Sequence, residues 1–230
     1  MNRLLLATAL VVGMAGQAAA QNTSTIDQST GPNSATVNQT IGGSTRNLSD
    51  IDQIGSNAAS VTQIGISGAV VDNASRIFQN GSGNAAVVNQ SGATAGDNGE
   101  IGNFWGSDIV QLGNNNSANV QQTATAIGDN KSFVSQDGAF NTAVVTQQAN
   151  TNDAPVAGDI DNNSSITQSG DSNYASVGQT SNDQGINTST VLQTGDLNNA
   201  GVSQAAGTTV INSSGVVQTG NSNFSSVVQN

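Results

Sequence analysis

The 230-residue chain contains no cysteine and no histidine. Without cysteine there can be no disulfide, no thiol nucleophile and no thiolate-held metal. Without histidine the usual general base and the commonest imidazole ligand are gone as well. Lys and Arg number four against fifteen Asp and Glu, for a net charge of −11. Affinity for nucleic acid rests on cations that neutralise phosphates, so no nucleic-acid partner is expected. Charged residues make up 8% of the chain and aromatics 3%, which leaves little from which to build a conventional globular core. What the chain does hold is Gly, Asn, Gln, Ser and Thr. An amide-rich, low-charge, β-prone composition is that of cross-β assembly.

The one long apolar run, Leu4 to Met14, follows Met1-Asn2-Arg3 and precedes Ala18-Ala19-Ala20. A short basic start, an apolar stretch and a small-x-small site are the parts of a secretory signal peptide. The run is shorter than the roughly 20 residues of a membrane span. The expected domain organisation is therefore a signal peptide over residues 1–20 and a mature, secreted, extracellular chain over residues 21–230.

The mature chain repeats one unit eight times. In Asn162–Gln179, Asn162, Ser164, Ile166 and Gln168 fall on alternate residues, and so do Asn173, Ala175, Val177 and Gln179. Period-two alternation marks a strand with one buried face. The Gln that closes the first half recurs at Gln28, Gln53, Gln79, Gln111, Gln136, Gln168, Gln193 and Gln218. The Gln that closes the second half recurs at Gln39, Gln63, Gln90, Gln122, Gln147, Gln179, Gln204 and Gln229. The second-half Asn is invariant across the units, at Asn33, Asn57, Asn84, Asn116, Asn141, Asn173, Asn198 and Asn223. Its first-half counterpart fails once, at Trp105. Ile or Val precedes each first Gln by two residues, and Val precedes each second Gln by two. Gly stands two residues after the first Gln in seven units, where a tight reversal calls for positive φ. Links between units are commonly seven residues but lengthen to fourteen at Ser91–Phe104 and Gln148–Asp161; these read as surface excursions that leave the register untouched.

Two short strands joined by a tight arc, repeated at fixed length, predict an all-β fold: a cross-β β-solenoid with two strands per turn and eight stacked strand-turn-strand repeats. If the arc reverses the chain, Ile166 faces Ala175 and Ser164 faces Val177, so that large meets small across a thin core. The Gln and Asn positions then form polar ladders from unit to unit, because buried amides without partners are costly. Two aliphatic side chains per unit cannot offset the backbone entropy of ordering it. Each unit depends on neighbours above and below, and the first and last units lack one. No capping element of the kind that blunts a solenoid's open edge is expected at either end.

The motif Gln-x-Gly-x-x-Asn-x-Ala-x-Val-x-Gln, seen in Gln79–Gln90, Gln136–Gln147, Gln168–Gln179 and Gln193–Gln204, resembles the repeat of the curlins. These are secreted subunits of curli, the functional amyloid fibres of bacterial biofilms. The resemblance runs from Asn22 to Asn230. It implies a subunit exported through an outer-membrane secretion channel and polymerised at the cell surface beside a nucleator subunit, with the Gln and Asn positions as the inner ladders. The complete last repeat is more similar to the major subunit. The chain departs from that repeat in carrying Asn six residues before the first Gln and Ser four before it. Its units are also slightly longer, and its repeats start at Asn22.

The functional expectation is a structural fibre subunit that self-assembles head to tail by strand templating, with itself as main partner and a role in cell adhesion within a matrix. The alternative is a monomeric secreted β-solenoid that acts as an adhesin. An ice binder would want a regular outward Thr array, and the outward set Thr25, Asp50, Arg76, Asp108, Phe133, Ser165, Thr190 and Gly215 is not one. No enzyme is expected. The paired acids Asp50/Asp52 and Asp159/Asp161 have no His, Cys or positioned Lys to tune them, and read as solvated charge that keeps the surface soluble. Calcium could use Gly/Asp loops, but no loop has the spacing of a calcium motif. Hence no catalytic, cofactor-binding or metal residue is assigned. Trp105 reads as a local register repair, and Phe78, Phe133, Tyr174 and Phe224 as outward surface aromatics.

Overall fold

A computed structural model describes residues 21–40, 46–65, 72–92, 106–126, 130–151, 162–182 and 185–230. The expected signal peptide, Trp105 and Asp159/Asp161 lie outside the described residues, as does most of the two fourteen-residue links. Every element within them is a strand.

The first unit supplies β1 (Gln21–Ser29) and β2 (Ser34–Thr40). Units two and three are each one continuous strand bent at its arc, β3 (Arg46–Ile64) and β4 (Asp72–Gly92). Then follow β5 (Ser107–Asn114) with β6 (Ser117–Ala126), β7 (Asn130–Ala139) with β8 (Thr142–Thr151), and β9 (Asn162–Ser169) with β10 (Tyr174–Asn182). The last two units are β11 (Ile186–Thr194) with β12 (Asn199–Ala206), and β13 (Ile211–Thr219) with β14 (Phe224–Gln229).

All pairings are parallel, and each strand pairs with its counterpart one unit away. First-half strands run β1-β3-β4-β5-β7-β9-β11-β13, and second-half strands run β2-β3-β4-β6-β8-β10-β12-β14. This is a β-solenoid of eight stacked layers. Register follows the repeat residue by residue: Gln136 pairs with Gln168, Gln168 with Gln193, Val145 with Val177 and Val177 with Val202. The single shift lies between Ser56 and Ala58, where the three-residue arc of unit two meets the longer arc of unit three.

The alternation of the sequence becomes the burial pattern. In β9, Asn162, Ser164, Ile166 and Gln168 are buried and the residues between them are half-buried or exposed. The core is one continuous cluster in which the Ile/Val column of the first sheet meets the Ala and Val columns of the second. Such regular filling suits a sheet pair whose facing positions alternate in volume.

Three details sharpen the sequence reading. First, the facing halves of a unit do not lie at one level. Gln168 donates its amide N–H to the carbonyl of Thr142, in the second strand of the preceding layer (3.1 Å), whereas Gln179 donates to Asn163 in its own layer (2.9 Å). Each first strand thus sits between two second strands, as a continuous helical path requires. Second, most second-half strands extend past their Gln and bury one more column of small residues, among them Gly92, Ala124, Ala149, Ser181 and Ala206. Strand therefore occupies Ser91–Gly92 and Gln148–Thr151, which the sequence assigns to links. Third, the long link leaves the geometry of its ends unchanged. Asn162 bonds the Gln148 carbonyl across fourteen residues (3.0 Å), as Asn187 bonds Thr180 across seven (2.9 Å).

Candidate functional site

The 24 Gln and Asn positions singled out from the sequence fall into three columns that run the length of the stack. Nearly all are buried, with Gln53, Gln79, Gln111, Gln136, Gln168 and Gln193 at 0% exposure.

In the first column each Gln Nε2 donates to the Oε1 of the next layer's Gln. The series runs from Gln28 to Gln53 and on to Gln218 without a break, at 2.7–2.9 Å. The second column does the same from Gln39 to Gln63 and on to Gln229, at 2.7–2.9 Å. Both columns point the same way, with donors toward the C-terminal layer. The remaining Nε2 hydrogen fixes that direction by reaching across the core to a backbone carbonyl. Gln136 donates to Ser117 (3.0 Å), Gln193 to Tyr174 (3.0 Å) and Gln204 to Thr188 (3.0 Å). Turning any amide over would point its oxygen at the next layer's Oε1 and at the cross-core carbonyl, and its N–H groups at the preceding layer's Nε2.

The Asn column works differently. Asn116 Oδ1 accepts the backbone N–H of Asn141 in the next layer (3.0 Å), and its Nδ2 donates to the arc carbonyl of Gly138 in that layer (3.0 Å). Asn141 and Asn173 repeat the clamp on Gly170 and Gly195 at 2.7 Å. Asn33, Asn57, Asn84 and Asn198 also accept the next layer's Asn N–H, at 3.0–3.2 Å. Asn223 occupies the last place in the column, half-buried. The first-half Asn residues form a further column in the opposite sense, with Asn187 donating back to Asn162 (2.9 Å) and Asn212 back to Asn187 (3.0 Å).

One ladder has only a faint sequence signal. Three residues past the first Gln, the side chains of Asn114, Asp171, Asp196 and Asn221 accept the arc N–H groups of Ser82, Ala139, Asp171 and Asp196, at 2.8–2.9 Å. An Asx at that offset recurs in four units, but Ser, Gly and Ala fill it elsewhere.

At the two ends the ladders stop. Gln39 Oε1 is buried with no hydrogen-bond partner. Among the described residues, the Gln28 side chain makes only its bond to Gln53, and no preceding strand offers its second N–H a carbonyl. At the other end β13 and β14 each have one edge unpaired among the described residues, and their outward residues Val217 (71%), Phe224 (76%) and Val228 (66%) are widely exposed.

Charge gathers on the outer face of the first sheet. Asp27 lies in register beside Asp52, and Asp50, Arg76 and Asp108 form a neighbouring column. Burial, reinforced by the Asp27 and Asp50 carboxylates, pushes the Asp52 carboxyl above its ordinary range. Arg76 grips Asp108 through two bonds, Nε to Oδ1 at 3.0 Å and Nη2 to Oδ2 at 2.7 Å. Among the described residues no group of three or more acids could hold a metal ion. Of the aromatics, Tyr174 and Phe224 are exposed and Phe78 and Phe133 half-buried, all on outward positions.

No family model, no curated protein and no solved structure matches the chain.

Proposed function

We propose that the chain is a secreted structural subunit that self-assembles by strand templating into fibres at the bacterial cell surface. In this reading the fibre is functional amyloid of the curli kind and serves cell adhesion in a biofilm matrix. The observation that carries the reading is the pair of Gln columns. Among the described residues they are satisfied at every interior layer and open at the first and last, so that a further layer would complete them and continue the stack. Heterologous contacts of this kind do not close on themselves, and filaments are their natural product. The role is structural rather than catalytic. By resemblance to the curlins, an outer-membrane channel would deliver the chain and a nucleator subunit would start the fibre.

A second reading, a monomeric solenoid adhesin, draws on the apolar side chains left on its surface. Phe140 and Leu197 stand at arc tips with 61% exposure each, in left-handed backbone that bulky residues seldom adopt (φ 59°). One experiment separates the two. Residues 21–230 are purified under denaturant, diluted into buffer, and followed by dye binding, electron microscopy and fibre diffraction. Fibres with reflections near ~4.7 Å and ~10 Å are expected for the subunit. A chain that folds and stays monomeric would leave only the adhesin.

A further inference from the structure

Charge is divided unevenly between the two sheets. The outer face of the first sheet carries Asp27, Asp50, Asp52, Arg76, Asp108 and Lys131. Among the described residues, the second-half strands carry no Asp, Glu, Lys or Arg at all, from Ser34 on β2 to Gln229 on β14. The fold does not demand this, since every other residue of those strands faces outward. Solubility does not demand it either, because a chain is kept apart from its copies best by charge on all sides.

Short side chains cover the neutral face instead. One outward column reads Val87, Asn119, Val144, Ser176 and Gly201 in successive layers, all half-buried. Tyr174, Phe224 and Val228 stand exposed on the same face. Strands of about seven residues at ~3.3 Å each give it a width of about 23 Å, and eight layers at ~4.8 Å give a height of about 38 Å. Packed on a copy of itself, it would cover roughly 900 Å² a side, which matches a standard specific interface at about 800 Å² a side.

We propose that the outer face of the second sheet is the contact between two copies lying side by side, each packing this neutral face on the other's and turning its charged first sheet to water. Short side chains let the two sheets approach to the ~10 Å of stacked sheets, where hydroxyls and amides can satisfy one another. With a net charge of −11, two copies meet at least cost where neither carries charge. The first sheet is the poorer choice. Asp27 and Asp52 share an outward column with Leu192 and Val217, so burying those apolar side chains against a copy would bury the acids as well. A nucleic acid or an anionic membrane would call for cations that the neutral face lacks. The contact is lateral and goes beyond growth along the stack: it doubles a fibre and dimerises a solenoid that does not polymerise.

Mass per length of unstained fibres of residues 21–230, by scanning transmission electron microscopy, counts the chains directly. Two chains per ~38 Å of fibre are expected, and any other number overturns the pairing while leaving self-assembly standing. Ser176→Asp places a charge on the proposed contact, and Thr167→Asp places one in the same layer on the other sheet, both at half-buried outward positions. Ser176→Asp should halve the count to one chain, and Thr167→Asp should leave it at two. A Ser176→Asp fibre that keeps two chains, or a Thr167→Asp fibre that falls to one, assigns the contact elsewhere and overturns the proposal. Single wild-type filaments that bind cellulose powder, and lose that binding on Ser176→Asp, would give the face to a neutral polysaccharide and overturn it too. If no fibres form, the self-assembly reading falls and sedimentation of the folded chain tests the pairing alone. A dimer that Ser176→Asp splits sustains it, and a wild-type monomer overturns it.

Discussion

At position 136 a buried primary amide carries three bonds at once. Gln136 accepts from Gln111 (2.8 Å), donates to Gln168 (2.9 Å) and donates to the Ser117 carbonyl (3.0 Å). A carboxylate has the same shape but no donor, so Gln136→Glu sets oxygen against oxygen and buries a charge. A loss on the order of 3–5 kcal/mol is expected, because the uncompensated charge cannot reach water. Urea unfolding of residues 21–230 measures it, and the same change at exposed Gln121 serves as a control that should be near neutral. Asp52 tests the opposite situation, a charge better removed. Its carboxyl is raised by burial and by Asp27 and Asp50, so the folded chain holds the proton more tightly than the unfolded one. That contribution is complete below the unfolded value and is lost as pH rises through the folded one. Asp52→Asn should therefore raise the urea midpoint at pH 7 and reduce the gain in stability that wild type shows on acidification to pH 4. Fibre assembly should also quicken near pH 4 as carboxylate repulsion falls, with a smaller acceleration in the variant.

Among the elements, the arcs are the most constrained. Gly170 holds a φ of 111°, and a Cβ there would fall 2.3 Å from the Gly195 carbonyl. Gly170→Ala thus combines a strained backbone with a collision against backbone that is itself clamped by Asn173 (2.7 Å). A cost above about 2 kcal/mol is expected, read as a lower thermal midpoint. Gly215→Ala, in open space, should leave that midpoint unchanged or raise it, since alanine narrows the unfolded ensemble. The arcs were legible in advance because Gly recurs at a fixed offset from Gln. The strand extensions past the second Gln were not. Gly92, Ala124, Ala149 and Ser181 share only smallness, and nothing local distinguishes a small residue buried in a strand from one in a loop. The Arg76–Asp108 clamp was equally hidden, because 32 residues separate its partners and only the stacking of β4 on β5 joins them.

At the scale of the whole molecule, stability is a sum over layers and their nearest neighbours. Removing one whole unit, residues 187–211, would bring β9 beside β13 and β10 beside β14 with Ile166 next to Val216 and Gln179 next to Gln229. Such a chain should keep its β-sheet circular dichroism and unfold at a lower urea concentration. Removing only residues 187–191 puts the inward column of the seventh layer on the outward face, since a strand's side chains alternate, and that chain should lose the β signal of its last two layers while the first six remain stacked. The same logic explains what could be read without coordinates. Fold class, strand register, core columns and amide ladders were fixed by period-two alternation and by the unit's recurrence, because in a parallel in-register stack identical residues neighbour identical residues. Tertiary structure alone decided how the two sheets are offset, with each first strand lying between two second strands. That offset assigns a carbonyl, and hence a direction, to every ladder Gln but Gln28, which has none among the described residues. A linear pattern carries spacing but not height along the stack axis, and the polarity of the amides is a consequence of height.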